Sequence, residues 1–487
     1  MSKIIIQNGN MCELDLPLKF AQKLYNEFAI RHPNAFYLRT RQRGMQNWDG
    51  KIHYITKTGQ FKIGLLPKVY DMCIEMGIKP KVVDTRQPLP KVSKVVTKIG
   101  KYKLRPEQEK AVKAVINNTI GGKPFHIGVL DYTVNAGKTL IMSSLYLSYK
   151  KQLKTLLITN DSDWLNQARE EFKQYLPGED ITFVQGKVLN WSNFTIGMVQ
   201  SISRNMRFYQ KELSQIDMVL IDEADQGGSR QYQNVITRLF NTRIRIGLSG
   251  TIYMSKLAKD KVKNMNLECF FGKVLAEFKL RDSIKKGYST KTVVKMVPGK
   301  PWYGNWESDC ISYKEIYDDS ITNSYTAWLM AYSRLRWNIN QGRYPALVVC
   351  KHIAHCENLY KFFKKKLGDA YNIAYVHVNT KSKLRQQIMK DFRDGKIDIL
   401  VSTTIIARGK NFPKLRYLLN AASMLSNEKT IQFLGRLVRT DSSKKKAYVD
   451  DLMYPGNYLS RHARARKRYY QVEKLKVILV KRPKHKL

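Results

Sequence analysis

The chain has 487 residues, 43% of them hydrophobic, so it is long enough for about three domains and too apolar for a disordered protein. Lysine and arginine total 85 against 40 aspartate and glutamate residues, which leaves a net charge of +45. A charge of this size repels itself and favours a polyanionic partner, with nucleic acid first and an acidic membrane surface second.

Membrane insertion and secretion are both disfavoured by the sequence. No segment approaches 18 consecutive apolar residues, and the apolar run from Ile4 to Ile6 is too short for a signal peptide. The six cysteines are mostly far apart and do not form a disulfide framework. We therefore expect a cytosolic protein with reduced thiols.

Residues 1–85 are expected to form a small α/β domain. Apolar residues at helical spacing predict one helix after Pro17 and a second helix over residues 67–76. Two short strands separated by a turn at residues 58–59 are predicted between these helices. Residues 86–100 contain two prolines near their start and are predicted to be a linker.

Arginines that alternate along the small domain indicate a nucleic-acid-binding patch. Arg39, Arg41 and Arg43 would project from one face if they lay in a strand. Together with Trp48 they form a candidate surface for a phosphate backbone. The alternative is a basic strand that is merely exposed to solvent.

From residue 101 onward, short apolar runs alternate with helical stretches in two successive series. Buried strands separated by helices are typical of parallel α/β sheets. The two series predict two α/β lobes, 101–280 and 281–487, with a boundary near residues 275–285. The runs include residues 127–130, 156–159, 196–199, 218–221 and 244–248 in the first series and 346–350, 373–376 and 397–401 in the second.

The sharpest local pattern lies between an apolar strand and a helical run, where a P-loop would be expected. Backbone N–H groups and a helix N-terminus would cradle phosphate, Lys138 would contact the β- and γ-phosphates, and the Thr139 hydroxyl would bind Mg²⁺. Tyr132 occupies the place of the usual first glycine, and an ordinary helix N-terminus is the alternative. The expected nucleotide-binding residues are Thr133, Val134, Asn135, Ala136, Gly137, Lys138, Thr139 and Leu140.

An acidic cluster, Asp222-Glu223-Ala224-Asp225, directly follows the apolar run 218–221. It would lie at the carboxyl end of a buried strand, which is the edge where open parallel sheets bind ligands. Asp222 would hold Mg²⁺ through water, and Glu223 would orient and deprotonate the attacking water. The alternative is an exposed acidic turn, which the nearby P-loop pattern disfavours.

The second lobe contains a pair of arginines three residues apart, Arg436 and Arg439, which are predicted to share one helical face. Arginine stays charged and binds phosphate oxygens bidentately. Arg439 would act as an arginine finger, and Arg436 would contact the γ-phosphate. In so basic a chain, a surface helix without a ligand is the alternative.

These three patterns, in this order, resemble the superfamily 2 helicases and translocases. The resemblance covers roughly residues 101–445 and implies two tandem RecA-like parallel-sheet lobes that bind ATP and Mg²⁺ in the cleft between them. It implies nucleotide contacts for Arg105, Gln108 (adenine), Gly409 and Asn411 (ribose), a catalytic role for Gln432, and coupling of hydrolysis to lobe movement by Ser249 and Thr251. It implies nucleic-acid contacts for Asn160, Gln200, Ser201, Lys351 and Thr403.

Within the superfamily, the chain is most similar to the UvsW-type phage helicases, which remodel branched DNA. The similarity rests on Trp48-Asp49-Gly50-Lys51-Ile52, on Gly64-Leu65-Leu66-Pro67, and on the small domain before the motor. It implies an ATP-dependent DNA helicase or translocase that acts as a monomer on single-stranded, duplex or branched DNA in branch migration, recombination or fork processing. It also implies a host cytoplasm as the location.

The stretch from Arg461 to Leu487 holds 11 Lys and Arg and a single acidic residue. Because Arg461, Arg464 and Arg468 recur at helical spacing, we predict a helix followed by a tail that tracks phosphates. A disordered basic tail is the alternative. Two other functions stay open for the whole chain, an ATP-dependent RNA helicase and a passive nucleic-acid clamp with a degenerate nucleotide site.

Overall fold

The computed structural model describes residues 2–42, 44–149, 152–186, 188–252, 258–299, 312–407, 412–424 and 427–480. The chain divides into two compact units, Met1–Phe278 and Lys279–Leu487. The first unit ends inside the interval predicted for the lobe boundary. Among the described residues, no helix combines the length and the apolar character needed to cross a bilayer.

The first 84 residues form a sheet, a separate strand pair and three helices. The strands are β1 (Lys3–Ile6), β2 (Met11–Asp15), β3 (Ala29–Arg31), β4 (Lys51–His53), β5 (Gln60–Lys62) and β6 (Lys81–Asp84), and the helices are α1 (Leu18–Glu27), α2 (Ala35–Arg41) and α3 (Leu66–Glu75). Four strands pair in the order β5-β2-β1-β6, and β3 pairs with β4. The helices predicted after Pro17 and over residues 67–76 are confirmed by α1 and α3.

One prediction for this region is wrong. Arg39 and Arg41 lie in α2 and not in a strand, so the argument that places alternating residues on one face does not hold for them. The two short strands predicted on either side of the 58–59 turn correspond to β4 and β5, which pair with β3 and β2 respectively. A single bridge between Ile55 and Phe61 spans that turn. Arg43 lies outside the described residues.

The rest of the first unit is built on an eight-stranded sheet. Its strands are β11 (His126–Tyr132), β12 (Thr155–Thr159), β13 (Ile181–Gln185), β14 (Val188–Leu189), β15 (Phe194–Met198), β16 (Met218–Asp222), β17 (Ile244–Ser249) and β18 (Val274–Phe278), preceded by two short pairs, β7 (Lys98–Ile99) with β8 (Tyr102–Lys103) and β9 (Thr119–Ile120) with β10 (Lys123–Pro124). The order is β14-β13-β15-β12-β16-β17-β11-β18. Seven strands run parallel, and β14 is an antiparallel edge strand.

Helices cover the faces of this sheet, as the alternation of apolar runs and helical stretches predicts. They are α4 (Pro106–Ile116), α5 (Lys138–Ser148), α6 (Ser162–Tyr175), α7 (Val199–Arg204), α8 (Gln210–Ser214), α9 (Arg230–Ile236) and α10 (Ala258–Phe271). Every residue of β11, β16 and β17 is buried, and most of their side chains are apolar. The carboxyl ends of the parallel strands therefore meet at one edge of the sheet.

The N-terminal 84 residues share their core with this sheet. Buried residues of both regions, such as Ile4 and Ile127, belong to one continuous apolar cluster. Arg245 of β17 is fully buried and donates to the carbonyl of Gly9 at 2.6 Å and to Asn10 Oδ1 at 2.8 Å. Gly64 lies so close to α10 that a Cβ there would overlap the Glu268 carbonyl oxygen. The division at residue 85 stays a prediction.

The second unit is built on a seven-stranded, fully parallel sheet. Its strands are β19 (Lys291–Pro298), β20 (Ala346–Val349), β21 (Ile373–Val376), β22 (Ile399–Ser402), β23 (Tyr417–Asn420), β24 (Lys446–Met453) and β25 (Lys476–Leu479), in the order β21-β22-β20-β23-β24-β19-β25. Its helices are α11 (Leu280–Lys285), α12 (Tyr313–Tyr317), α13 (Tyr325–Ile339), α14 (Ile353–Leu367), α15 (Ser382–Asp394), α16 (Asn427–Leu437) and α17 (Asn457–Val472). Two parallel α/β sheets thus confirm the predicted fold class.

The C-terminal helix α17 is anchored by a buried ion pair. Arg466 and Asp451 are both fully buried and are bidentately paired, with Nη2 to Oδ1 at 2.7 Å and Nε to Oδ2 at 2.9 Å. Tyr470 and Asn420 donate to the same carboxylate, and Arg466 also donates to the Met424 carbonyl. The network fixes α17 against β24 and β23.

Replacing Arg466 by alanine should strongly destabilise the second unit. The buried Asp451 carboxylate would lose its partner, which typically costs about 3–5 kcal/mol. Arg464→Ala is the matched control, because Arg464 lies on the same helix with an exposed side chain and should cost no more than about 0.5 kcal/mol. Denaturant unfolding of both variants provides the comparison, and similar losses would show that the pair does not anchor the helix.

Candidate functional site

The predicted P-loop connects the end of β11 to the start of α5. Asn135 and Gly137 adopt the left-handed conformation, with φ of 64° and 72°. At position 137 a Cβ would also overlap Gln108 Nε2, so both backbone conformation and space require glycine. The first N–H groups of α5 have no carbonyl partner within the helix and are available to an anion.

Tyr132 explains why the loop tolerates the absence of its usual first glycine. It is the last residue of β11, and its buried hydroxyl donates to the Glu107 carbonyl at 2.6 Å. Tyr132 therefore belongs to the strand and leaves the turn of the loop to residues 133–137. Gly250 lies directly against this turn, because a Cβ there would be 2.9 Å from Thr133 Cα.

Arg105 and Gln108, at the start of α4, lie on the P-loop. Gln108 Nε2 donates to the Ala136 carbonyl at 2.8 Å, while its Oε1 accepts from the Arg105 backbone N–H at 2.8 Å. The Arg105 side chain donates to the Asn135 carbonyl at 3.4 Å. The structure therefore places both residues against the predicted P-loop, while the nucleotide contact of Arg105 and the adenine contact of Gln108 stay predictions.

The P-loop lysine is paired with the first residue of the acidic cluster. Lys138 Nζ lies 2.9 Å from Asp222 Oδ1, and the Asp222 side chain is only 5% exposed. Burial alone would lower the pKa of Lys138, but the carboxylates of Asp222, Glu223 and Asp225 outweigh it, so the pKa is raised. Lys138 is thus held in its charged form at the carboxyl edge of the sheet.

Glu223 follows the end of β16 in a left-handed conformation, with φ of 53°. The pKa of its carboxyl is raised to about 7, chiefly by burial and further by the negative charges of Asp222 and Asp225, while Lys138 opposes the shift. A carboxylate with this pKa can accept a proton near neutral pH, as a general base requires. Gln226 Nε2 donates to Glu223 Oε2 at 2.9 Å.

Ser249 and Thr251, predicted to couple hydrolysis to lobe movement, are joined to the acidic cluster. Ser249 Oγ donates to Asp225 Oδ1 at 2.7 Å and lies 3.0 Å from Thr251 Oγ1. The Thr251 backbone N–H also donates to Ser249 Oγ at 3.1 Å. A change at the acidic cluster can therefore reach the end of β17 through one hydrogen bond.

Predicted nucleic-acid residues of the first unit also lie near the cluster. Asn160 follows β12, and its Nδ2 donates to Gln226 Oε1. Gln200, in the first turn of α7, donates from Nε2 to the Asn160 carbonyl at 3.3 Å. Ser201 Oγ accepts from the Gly186 N–H at 2.9 Å. Gln226, which links Glu223 to Asn160, is not among the residues predicted from the sequence, although it directly follows the acidic cluster.

In the second unit, the predicted residues differ in accessibility. Lys351 Nζ lies over the Tyr313 ring at 4.1 Å, whereas Thr403 is buried beside the end of β22. Arg464 and Arg468 are exposed on α17, whose helix was predicted. Within the predicted tail, residues 476–479 form the edge strand β25. Residues 481–487 lie outside the described residues.

The prediction that Arg436 and Arg439 share a helical face is wrong. Gln432 and Arg436 lie in α16, but this helix ends at Leu437, and Arg439 lies beyond it. The backbone there is held by Thr290, whose N–H donates to the Val438 carbonyl at 2.7 Å and whose hydroxyl donates to the Arg439 carbonyl at 3.1 Å. Gly409 and Asn411 lie outside the described residues.

The structure thus combines a phosphate-binding loop, a charged lysine and a carboxylate of raised pKa at the carboxyl edge of a parallel sheet, which defines a P-loop nucleoside triphosphatase. Residues 101–254 match the family model described as Type III restriction enzyme, res subunit, and residues 331–441 match the Helicase conserved C-terminal domain. Together these matches span more than half of the chain. The chain belongs to the superfamily 2 helicases.

Individual relatives are distant. The ATP-dependent DNA helicase uvsW of Enterobacteria phage T4 is 21% identical over 458 residues, which cover 88% of this chain and 86% of that protein. Helicase 22 of Sulfolobus islandicus filamentous virus (isolate Iceland/Hveragerdi) is 23% identical over 385 residues, 72% of this chain and 64% of that protein. The fold is similar to that of S. cerevisiae Dbp5 bound to RNA and ADP BeF3, with a TM-score of 0.54, 13% identity, and coverage of 78% and 90%.

Proposed function

We propose that this chain is an ATP-dependent DNA helicase or translocase that unwinds or remodels branched DNA, in branch migration, recombination or replication-fork processing. The observation that carries the proposal is the ion pair of 2.9 Å between Lys138 and Asp222, formed where the P-loop helix begins and β16 ends. Glu223 stands beside this pair as a base with a pKa of about 7. The charge of +45 supports a polyanionic track.

The residues present fit a nucleoside triphosphate with Mg²⁺. The loop of residues 133–137 has left-handed turns and no room for a side chain at Gly137, which lets a phosphate approach the backbone closely. Lys138 would neutralise phosphate charge, and Thr139 and Asp222 would hold the Mg²⁺ ion. Bound ATP and Mg²⁺ would supply the phosphoryl group to be transferred to water and the positive charge that stabilises it.

Within this scheme, Glu223 orients the attacking water and takes its proton. Ser249 and Thr251 relay the state of the acidic cluster through Asp225. We propose that Gln432, Arg436 and Arg439 supply hydrogen bonds and positive charge to the phosphates, and that Gly409 and Asn411 contribute to nucleotide binding. Nucleotide would favour a closed state of the motor, and its hydrolysis would release that state.

A cleft in the N-terminal region has the charge and the exposed aromatic ring expected of a site for unpaired DNA. A cleft of about 480 Å³ beside α2 is lined by the cations Arg31, Arg39 and Lys51 and by Phe36, whose side chain is 80% exposed. Within the described part of the chain, none of these three cations forms an ion pair. Cations can bind the phosphate backbone, and an exposed aromatic ring can stack on an unpaired base.

Among the described residues, Asp49 is the only carboxylate that lines this cleft, and it is already engaged. Asp49 Oδ2 lies 2.7 Å from His53 Nε2, and its Oδ1 accepts from the Lys51 backbone N–H at 2.9 Å. The hydrogen bond with His53, followed by the one from Lys51, lowers the pKa of Asp49. The cleft therefore keeps an excess of positive charge, which favours a phosphate group.

Charge reversal at Arg39 should reduce the salt dependence of DNA binding. Removing one cation that binds a phosphate should lower the slope of log Kobs against log salt by about 0.7–0.9. Arg41→Glu is the matched control on the same helix, because Arg41 does not line the cleft and lies 5.0 Å from the Tyr37 ring. DNA titrations at several salt concentrations test this prediction. Equal slopes for the two variants would show that α2 contributes only a general positive charge and that Arg39 makes no specific phosphate contact.

Strand displacement on matched substrates tests the proposed function. We expect ATP-dependent unwinding or branch migration of forked and Holliday-type DNA by a monomer, and little activity on an RNA fork of the same sequence. The similarity to uvsW, which is named as a DNA helicase, supports DNA as the substrate. The match covers 86% of that protein. Equal or greater activity on RNA would favour an RNA helicase. This alternative stays open because contacts to phosphates do not distinguish RNA from DNA.

A passive nucleic-acid clamp is the alternative from another class. The absence of phosphate release at saturating DNA would favour it. The intact Lys138–Asp222 pair and the raised pKa of Glu223 argue against it, because a binding module has no need for a poised base. The host cytoplasm remains our proposal for the location.

A further inference from the structure

A chain of side-chain amides connects the proposed catalytic base to two residues proposed to contact nucleic acid. Gln226 Nε2 donates to Glu223 Oε2 at 2.9 Å, and Gln226 Oε1 accepts from Asn160 Nδ2. Gln200 Nε2 then donates to the Asn160 carbonyl at 3.3 Å. Three neighbouring strands, β16, β12 and β15, position these groups at their carboxyl ends.

Two acceptor atoms in this series of side-chain amides have no hydrogen-bond donor in the part of the protein that the structure describes. Asn160 Oδ1 and Gln200 Oε1 are buried acceptors that have no hydrogen-bond partner among the described residues. Buried acceptors without partners cost free energy, so a rearrangement that gives them donors is favoured. Asn160, Gln200 and Gln226 are only partly buried, so a ligand on the surface can reach this part of the sheet edge.

We propose that Gln226 is a positioning residue that makes hydrolysis depend on nucleic acid. In the free protein, its amide N–H occupies an oxygen of Glu223 that the attacking water needs. Nucleic acid that binds Asn160 and Gln200 draws the Gln226 amide away, which frees the carboxylate to accept the proton of the water. The inference rests on the proposed function, because it assigns the regulation of that same site.

The geometry gives Gln226 a role that a simple structural residue would not have. Its two amide atoms face different partners, with the N–H on the base and the carbonyl oxygen on Asn160. Moving Asn160 therefore moves or weakens the hydrogen bond at Glu223. Asp225 makes a separate connection to Ser249, so the amide chain does not pass through that link.

The test compares ATP turnover of the full-length chain without DNA and at saturating single-stranded DNA. Gln226→Leu should raise the DNA-free turnover about tenfold and reduce the stimulation ratio by a similar factor, because a hydrogen bond to a charged group is lost. Gln200→Leu should reduce the stimulation ratio, because nucleic acid loses one of the two contacts through which it would move Asn160. Gln233→Leu is the matched control, because Gln233 donates to the Gly228 carbonyl and takes no part in the series of hydrogen bonds from Glu223 to Gln200.

Several outcomes would overturn the inference. A stimulation ratio in Gln226→Leu equal to that of the unmodified chain would show that the amide carries no coupling. If Gln226→Leu lowers the DNA-free and the DNA-stimulated turnover by the same factor, Gln226 has only a structural role. If the unmodified protein hydrolyses no ATP, the proposed function is overturned as well. If DNA stimulates the unmodified protein and Gln226→Leu equally, only the inference is overturned.

Discussion

Lys138→Ala is expected to reduce DNA-stimulated ATP hydrolysis by about 10²- to 10³-fold, the usual cost of losing one preorganised electrostatic contact. The ammonium group lies at the start of α5 and is kept charged by the carboxylates around it. Its loss removes positive charge from the place where phosphate charge must be stabilised. Phosphate release at saturating DNA measures the effect.

The same substitution leaves Asp222 as a buried charge without its lysine partner, so stability must be checked separately. Lys138→Arg keeps the positive charge and the ion pair but changes the position of the donor atoms. It should fold like the unmodified chain and still lose most activity. Lys110→Ala, an exposed lysine on α4, is the control for general loss of charge. Normal turnover in both Lys138 variants would refute the assignment of the P-loop.

Glu223→Gln should stop hydrolysis while DNA binding persists. Glutamine has the same shape as glutamate but cannot accept the proton of the attacking water, so about 10²- to 10⁴-fold of rate should be lost. The substitution also removes one negative charge from a cluster of three carboxylates. It should therefore not weaken the binding of a nucleotide. Single-turnover hydrolysis and DNA titration measure the two effects independently.

The raised pKa of Glu223 gives this assignment a pH signature. A base must be deprotonated to act, and its pKa of about 7 means that kcat/KM should rise with pH and level off above neutrality. The same shift makes the ionised form unfavourable in the folded protein. The contribution of Glu223 to stability is therefore largest below its ordinary pKa and is lost as pH rises through 7. Glu223→Gln should remove this loss, and a kcat/KM flat between about pH 5.5 and 8 would exclude Glu223 as the base.

The strands and the ends of the strands could be predicted from the sequence, because fully buried parallel strands require uninterrupted apolar runs. The run 218–221 followed directly by Asp222 places a carboxylate at the sheet edge in any parallel arrangement. The P-loop was predictable for the same reason, since Gly137 and Lys138 separate a strand from a helix. These features depend on residues that are close together in the chain.

Features that depend on distant partners could not be predicted in this way. The alternation of Arg39 and Arg41 suggested a strand, but Ala35 packs close to Gly50 and the segment is helical. Arg439 sits three residues after Arg436, yet contacts with Thr290 hold its backbone beyond the helix end. The role of Gln226 depends on where Asn160 lies, and that position is set by the packing of another strand.

The common core of the N-terminal segment and the P-loop unit limits how this protein can be dissected. Removing residues 1–84 would strip the acceptors of Gly9 and Asn10 from Arg245 and open the apolar cluster around Ile127 to water. Truncation would then report on misfolding and not on DNA affinity. Because the two regions share one apolar cluster, a force applied to the N-terminal segment would be transmitted to the P-loop sheet through that cluster.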